Sequence, residues 1–191
     1  MISRGFKRRY LFTGTLTLET GLHVGSGWTV GSPSDSPVVR TPDGRPFIPG
    51  SSFKGAFRST VEKLAPAVGV HSCGLMEGQG CIGSQGKEQD RFNTERRDQT
   101  WSEQDLLSKL DQSLCDTCKL FGSSYAASRI LFSDLLPDGE DADKMVQVRD
   151  GVAIDRDSEK AVDGLKYDYE VVAPAQTFHA EVLLENPTSM D

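Results

Sequence analysis

Four cysteines carry the most specific chemistry in this chain. In Cys115-Asp-Thr-Cys118 the two-residue gap lets adjacent backbone N–H groups point at the thiolates of a zinc knuckle. Seven residues separate the other pair, Cys73 and Cys81, so two readings stand: a four-sulfur zinc site, with His71 as a substitute ligand, or four buried free thiols. A chain expected in the cytoplasm rarely keeps disulfides, which favours the metal.

Two further groups could do chemistry. Lys54 and Arg58 lie four apart, just after Gly50-Ser51-Ser52. A helix N-terminus already carries about half a positive charge and several unpaired N–H donors, so two cations beside it repel it unless an anion is present. The stretch therefore reads as a phosphate cradle, or more plainly as two side chains extending into solvent. Asp35 is the only carboxylate between Glu19 and Asp43, in a loop of small residues, with an Asx turn ahead of Pro37 as its structural alternative. Gly25, Gly27 and Gly31 in the same loop allow close approach of a bulky ligand or are loop punctuation, and His23 favours no role by itself.

The elements that must hold these residues follow from periodicity. Residues 46–64 read as a strand end running into a helix, with Phe53, Ala56, Phe57, Thr60, Val61 and Leu64 on one buried face and Ser51 or Ser52 as N-cap. Residues 8–20 alternate as a half-buried strand, and a Pro-Asp-Gly turn at 41–44 joins two short strands that deliver the chain to the helix. Residues 83–100 are polar, with Phe92 as their one apolar member, and read as a loop. Ser102 and Asp105 form a capping box ahead of Leu106, Leu107 and Leu110. A metal would pin both ends of this insertion, which is too small for a core of its own. Residues 129–134 form a second core strand and 137–143 an acidic turn. Residues 146–156 and 165–172 make a long, poorly buried hairpin with a polar tip at 157–164, and 177–185 a third core strand.

With 191 residues, 37% of them hydrophobic, the chain can bury one substantial core. No apolar run approaches the ~18 residues that span a bilayer, and the N-terminus lacks a secretory h-region, so the expected location is the cytoplasm, with no membrane partner. The net charge of −7 argues against nucleic acid, but it is unevenly spread. Residues 1–65 hold nine Lys/Arg against four Asp/Glu, leaving twelve against twenty-four for residues 66–191, so the helix with Lys54 and Arg58 sits in a basic half.

Taken in order, residues 20–25 (Thr-Gly-Leu-His-Val-Gly), 35–40 (Asp-Ser-Pro-Val-Val-Arg), 46–58 with Ile-Pro-Gly-Ser-Ser-Phe-Lys-Gly-Ala-Phe-Arg, 118–122, 129–134, 152–156 (Val-Ala-Ile-Asp-Arg) and 169–172 resemble the repeat-associated mysterious protein (RAMP) superfamily. The likeness is to backbone subunits of type III CRISPR effector complexes, of a zinc-containing, type III-D/E-like kind. It implies an α+β fold, one domain over residues 1–191 with a ferredoxin-like (RRM-type) core, a zinc-binding insertion at 66–120 and a protruding hairpin thumb at 150–170. It also implies guide crRNA held through Gly25, Ser51, Ser52, Lys54, Arg58 and Arg156, and structural zinc on Cys73, Cys81, Cys115 and Cys118. Other RAMP subunits and complementary target RNA are the implied partners. In the family the aspartate at the position of Asp35 supports target cleavage with Mg²⁺ or another divalent cation, so the resemblance turns Asp35 from turn residue to catalytic residue. The chain would be an endoribonuclease acting only within the assembled complex; a guide-binding subunit without chemistry and a guide-processing endonuclease using His23 are the other readings. Family members continue past the third core strand with a second helix, a fourth strand and a glycine-rich loop, and these are absent by Asp191.

Overall fold

The computed structural model describes residues 7–27, 34–73, 80–83, 86–139 and 142–186. Gly31, one of the three loop glycines singled out above, lies outside them. The elements run β1 (Arg9–Thr17), α1 (Gly50–Leu64), α2 (Lys87–Asp98), α3 (Glu103–Ser113), α4 (Asp116–Phe121), β2 (Ile130–Phe132), β3 (Leu136–Pro137), α5 (Ala142–Met145), β4 (Val146–Ile154), β5 (Ala161–Val172) and β6 (Thr177–Glu185). The fold is mixed α+β with antiparallel strand pairing. Among the described residues no helix is long and apolar enough to cross a membrane.

The chain clusters into two compact units, one of residues 1–12, 51–132 and 182–191, the other of residues 13–50 and 133–181. In the first, β6 lies between β1 and β2, with Ile130 opposite Leu184 and Phe132 opposite Val182. α1 packs here through an aromatic patch: Phe53 and Phe57 each bring a ring 5.5 Å from that of Phe132, and Phe57 meets Phe121 at 6.1 Å. The rest of the expected buried face is open. Ala56 and Thr60 are exposed, Leu64 is 60% exposed and Phe57 41%, while only Phe53 and Val61 are half-buried. β1, at one edge of this sheet, likewise leaves Tyr10, Leu11 and Phe12 exposed where a half-buried strand was expected.

The stretch at 83–100, expected as a loop, contains α2 instead. Glu88 and Asp90 in its first turn and Arg96 and Arg97 in its last complement the helix dipole, and Arg91 pairs with Glu95 one turn on. Phe92 is its one buried residue, 5% exposed, its ring 5.2 Å from that of Tyr125 and 5.4 Å from Trp101, and Asn93 beside it accepts the Tyr125 hydroxyl at 2.7 Å. The capping box at Ser102 and Asp105 is present at the start of α3, both bonds at 3.2 Å.

In the second unit β4 and β5 form the long hairpin, Val146 opposite Val172 and Val152 opposite Lys166, with a register shift near the tip. Val148, Val152, Ile154, Leu165 and Tyr167 are exposed along it, as the poor burial expected of this hairpin requires. The Asp155 carboxylate accepts N–H bonds from Asp157 and Ser158 to close its turn. β3 pairs with the start of β6 around the fully buried Phe178. The Pro-Asp-Gly turn closes with Thr41 and Gly44 backbone N–H groups donating to Arg45 and Thr41 oxygens, each at 2.9 Å.

Candidate metal centre and cleavage loop

The first unit brings all four cysteines together. Their sulfurs lie within 4.8 Å of one another and every one is buried, Cys115 and Cys118 completely. The Cys73–Cys118 and Cys81–Cys115 sulfur pairs are each 3.6 Å apart, close to the spacing that four sulfurs take around a shared ion at Zn–S distances of about 2.3 Å. The donor set is closed and all sulfur, which suits a structural zinc ion. His71 is exposed and engages Asp116 through its backbone, its N–H donating to the carboxylate at 3.1 Å and its carbonyl accepting from Asp116 N–H at 2.9 Å.

Local structure explains how four distant cysteines meet. Cys115 is the N-cap of α4 and Cys118 sits in its first turn. Gly83 donates its N–H to Cys81 Sγ at 3.3 Å, and a Cβ there would come within 2.9 Å of Leu114 Cδ2 and 3.0 Å of Cys118 Sγ, so only glycine fits. Ile82, Phe92, Leu110 and Leu114 pack around the sulfurs, with Trp101, Leu106, Tyr125 and Ala126 half-buried against them. The insertion thus has a small core of its own, contrary to expectation, and the cysteines are part of it.

The thiols differ in acidity. Cys115 is held as a thiolate, near 3, by the Cys118 S–H and then the Thr117 hydroxyl, against its burial. Burial and that neighbouring charge push Cys73 up to about 11, and the same thiolate pushes Cys118 up, with burial adding to it. A second and third thiolate in this pocket need a cation beside them.

Lys54 and Arg58 also belong to this unit. Lys54 Nζ donates to Ser128 Oγ at 2.7 Å, and its partial burial, then the Arg58 charge, lowers its pKa. Arg58 is more engaged than a solvent-facing side chain: Nε donates to Glu62 at 2.7 Å, one terminal nitrogen to the Gly122 carbonyl at 3.1 Å and the other to Cys118 Sγ at 3.6 Å. Its guanidinium also lies 5.9 Å from the Phe121 ring centre. Ser51 and Ser52 are exposed within the first turn of α1, which begins at Gly50, so neither takes the N-cap position expected of them.

In the second unit the N–H of Gly50 is bound by the Asp134 carboxylate at 2.8 Å, so an anion from the chain itself takes one donor of the expected cradle. Asp35 is exposed, and it makes a reciprocal pair with Asp168 of β5. The Asp35 N–H donates to Asp168 Oδ1 at 2.7 Å, and the Asp168 N–H donates to Asp35 Oδ2 at 3.1 Å. The Asx turn does not form, since Pro37, two residues on, has no N–H to give.

The adjoining residues are tied to β5 as well. Glu170 is 5% exposed and accepts the Val38 N–H at 3.0 Å and the Arg40 guanidinium at 3.1 Å, while its own N–H donates to Ser36 O at 3.0 Å. His23 Nδ1 lies 2.7 Å from the Glu170 carbonyl, which can only accept, so Nδ1 carries a proton; Nε2 lies 3.4 Å from the Ser36 hydroxyl. Gly25 bridges to Val38, and a Cβ on it would lie 3.3 Å from His23 Nε2. Residues 23, 35, 36, 168 and 170 thus gather on one strip of the second unit. Sequence reading missed Asp168 and Glu170, and Arg156 lies exposed at the far turn of the hairpin.

Residues 15–189 match the family model of the RAMP superfamily. Over 79 residues the chain is 40% identical to the CRISPR system Cms endoribonuclease Csm3 of Methanothermobacter thermautotrophicus, covering 38% of this chain and 32% of that protein. It is 45% identical over 65 residues to the protein of the same name from Enterococcus italicus, covering 31% and 30%. A third, from Mycobacterium tuberculosis, is 46% identical over 54 residues, covering 27% and 23%. The chain thus matches less than a third of the length of each of these relatives.

Proposed function

The chain belongs to the RAMP superfamily, and from that premise we propose that it is a guide-RNA-binding backbone subunit of a type III CRISPR effector complex that cuts complementary target RNA through Asp35. Three relatives of this chain carry the name endoribonuclease, which supports the activity. The observation that carries the reading is the state of Asp35: exposed, anchored by its own N–H and by one carboxylate oxygen to Asp168, with the second oxygen directed to no partner among the described residues. A carboxylate kept rigid and open is what positioning chemistry on a phosphodiester needs.

In this proposal the ferredoxin-like core, the zinc insertion and the hairpin thumb keep their family roles, and Gly25, Ser51, Ser52, Lys54, Arg58 and Arg156 contact guide crRNA. Zinc on Cys73, Cys81, Cys115 and Cys118 is structural. Oxygen donors such as Asp35 suit Mg²⁺, which when bound would offset charge building on the scissile phosphate. Asp35 holds the loop and orients the target strand so that a ribose 2′-oxygen faces its own phosphorus in line. That oxygen bonds to phosphorus as it loses its proton, and the 5′-oxygen leaves and takes one up.

One observation favours a guide-binding subunit without chemistry: the exchange of N–H bonds between Asp35 and Asp168 would by itself conserve an aspartate for loop structure. The two readings separate in a complex assembled with guide. Under the first, complementary RNA is cut at a regular spacing in the presence of Mg²⁺; under the second it is bound intact.

A further inference from the structure

We infer that Arg58 is a positioning residue of the metal centre, compensating the charge of the sulfur cluster and thereby joining it to the helix that carries the cationic pair. The inference rests on the zinc reading above and deepens it. Four thiolates around a divalent ion carry about two net negative charges, and a buried charge is costly unless it is paired and hydrogen-bonded. Arg58 brings a permanent cation to this place, with a terminal nitrogen 3.6 Å from Cys118 Sγ.

The guanidinium is held there by three other contacts. Glu62 accepts from Nε one turn along α1, the Gly122 carbonyl accepts from the other terminal nitrogen, and the Phe121 ring lies at its side. Gly122 is fixed by the same design: its φ of +93° is left-handed, and a Cβ would lie 2.9 Å from the Ser128 backbone. Cys118, inside α4, and Gly122, its C-cap, therefore both meet this one arginine. Lys54, one turn earlier on α1, bonds Ser128 instead and makes no contact with sulfur among the described residues.

The test is cobalt and zinc binding by the full chain and its variants, read by absorbance and by competition with a chelator, without RNA. Arg58→Gln is expected to weaken metal binding roughly 10–100-fold, the range for loss of an outer-shell partner, and to move the sulfur-to-cobalt charge-transfer band to lower energy because a hydrogen bond to the sulfur is lost. Lys54→Ala should leave both unchanged. Glu62→Gln removes an ion pair while keeping the sulfur contact, so it should leave the band in place; a band shift equal to that of Arg58→Gln would mean general loosening and would overturn the inference. Should Arg58→Gln fail to fold, Arg58→Lys carries the test, keeping the charge but not the planar fork, with a smaller loss and a shifted band expected. Wild-type affinity and spectrum in both Arg58 variants would overturn the role of Arg58 alone, whereas no metal bound by the wild type would bring down the centre and this role together.

Discussion

The two compact units keep their chemistry-bearing groups in opposite ways. In one, four sulfurs are sealed from water and surrounded by Ile82, Phe92, Leu110 and Leu114; in the other, a single carboxylate stands exposed, held from behind by one hydrogen-bond exchange. A closed four-donor site leaves no position for substrate and contributes to stability, whereas an open one trades stability for access. On the proposed reading, the first site serves folding and the second chemistry. Perturbing the first should damage everything, and perturbing the second should damage one step.

The largest effect should come from Cys118→Ser. It removes a completely buried thiol that also receives the Arg58 hydrogen bond, so metal affinity should fall by more than the roughly 10–100-fold that loss of an outer-shell partner costs. The variant should also melt well below the wild type in a thermal scan. Near-native melting with one equivalent of zinc bound would erase the contrast.

Acidity gives the next test. Metal binding must displace protons from thiols, of which Cys73 sits near 11 and Cys118 is also raised, while Cys115 near 3 is already a thiolate. Protons and metal therefore compete, and affinity should rise with pH through the neutral range by about tenfold or more per unit, each displaced proton supplying one power of ten. Isothermal titration in buffers of different ionisation enthalpy would count those protons. A pH-independent affinity would mean that the centre is already deprotonated.

A smaller and more selective effect is expected for Asp168→Ala. It removes the acceptor of the Asp35 N–H but leaves the Asp168 N–H on Asp35, so the loop should loosen. Cleavage should slow by about tenfold with unchanged guide affinity, since a misplaced reactive group costs rate without costing binding. Loss of guide binding would move Asp168 from positioning to assembly.

Lys54→Ala should act least. Its amine bonds Ser128 and is partly desolvated, with no carboxylate partner among the described residues, so an approaching phosphate meets a cation still short of an anion. Guide affinity should fall several-fold and the slope of log affinity against log salt should flatten by about one. An unchanged slope would remove Lys54 from the interface.

Much of the fold was legible because it is local. The capping box at Ser102 needs only Asp105 three residues on, the turn at 41–44 needs only Pro-Asp-Gly, and β6 was read from alternating apolar residues with its bounds intact. α2 was missed because helix reading leans on an apolar stripe, and α2 has Phe92 alone and charges placed for the dipole instead. For α1 and β1, periodicity marked which residues share a face and said nothing of what covers it; Leu64 and Phe12 are exposed. The four-cysteine site was visible as a count and a spacing. Asp168, Glu170 and the sulfur contact of Arg58 were not, because each depends on a partner 60 to 133 residues away.

The most direct test of the account is single-turnover cleavage of complementary RNA by the guide-loaded complex, with wild-type chain and with Asp35→Ala, alongside guide and target binding to both. The account predicts equal assembly and binding, regular-interval cleavage by the wild type in Mg²⁺, and a rate reduced by at least about 10²-fold in Asp35→Ala, because transition-state contacts are lost while ground-state contacts remain. Cleavage by Asp35→Ala at the wild-type rate would contradict it and leave Asp35 as the partner of Asp168 in a loop, with the chain a guide-binding subunit.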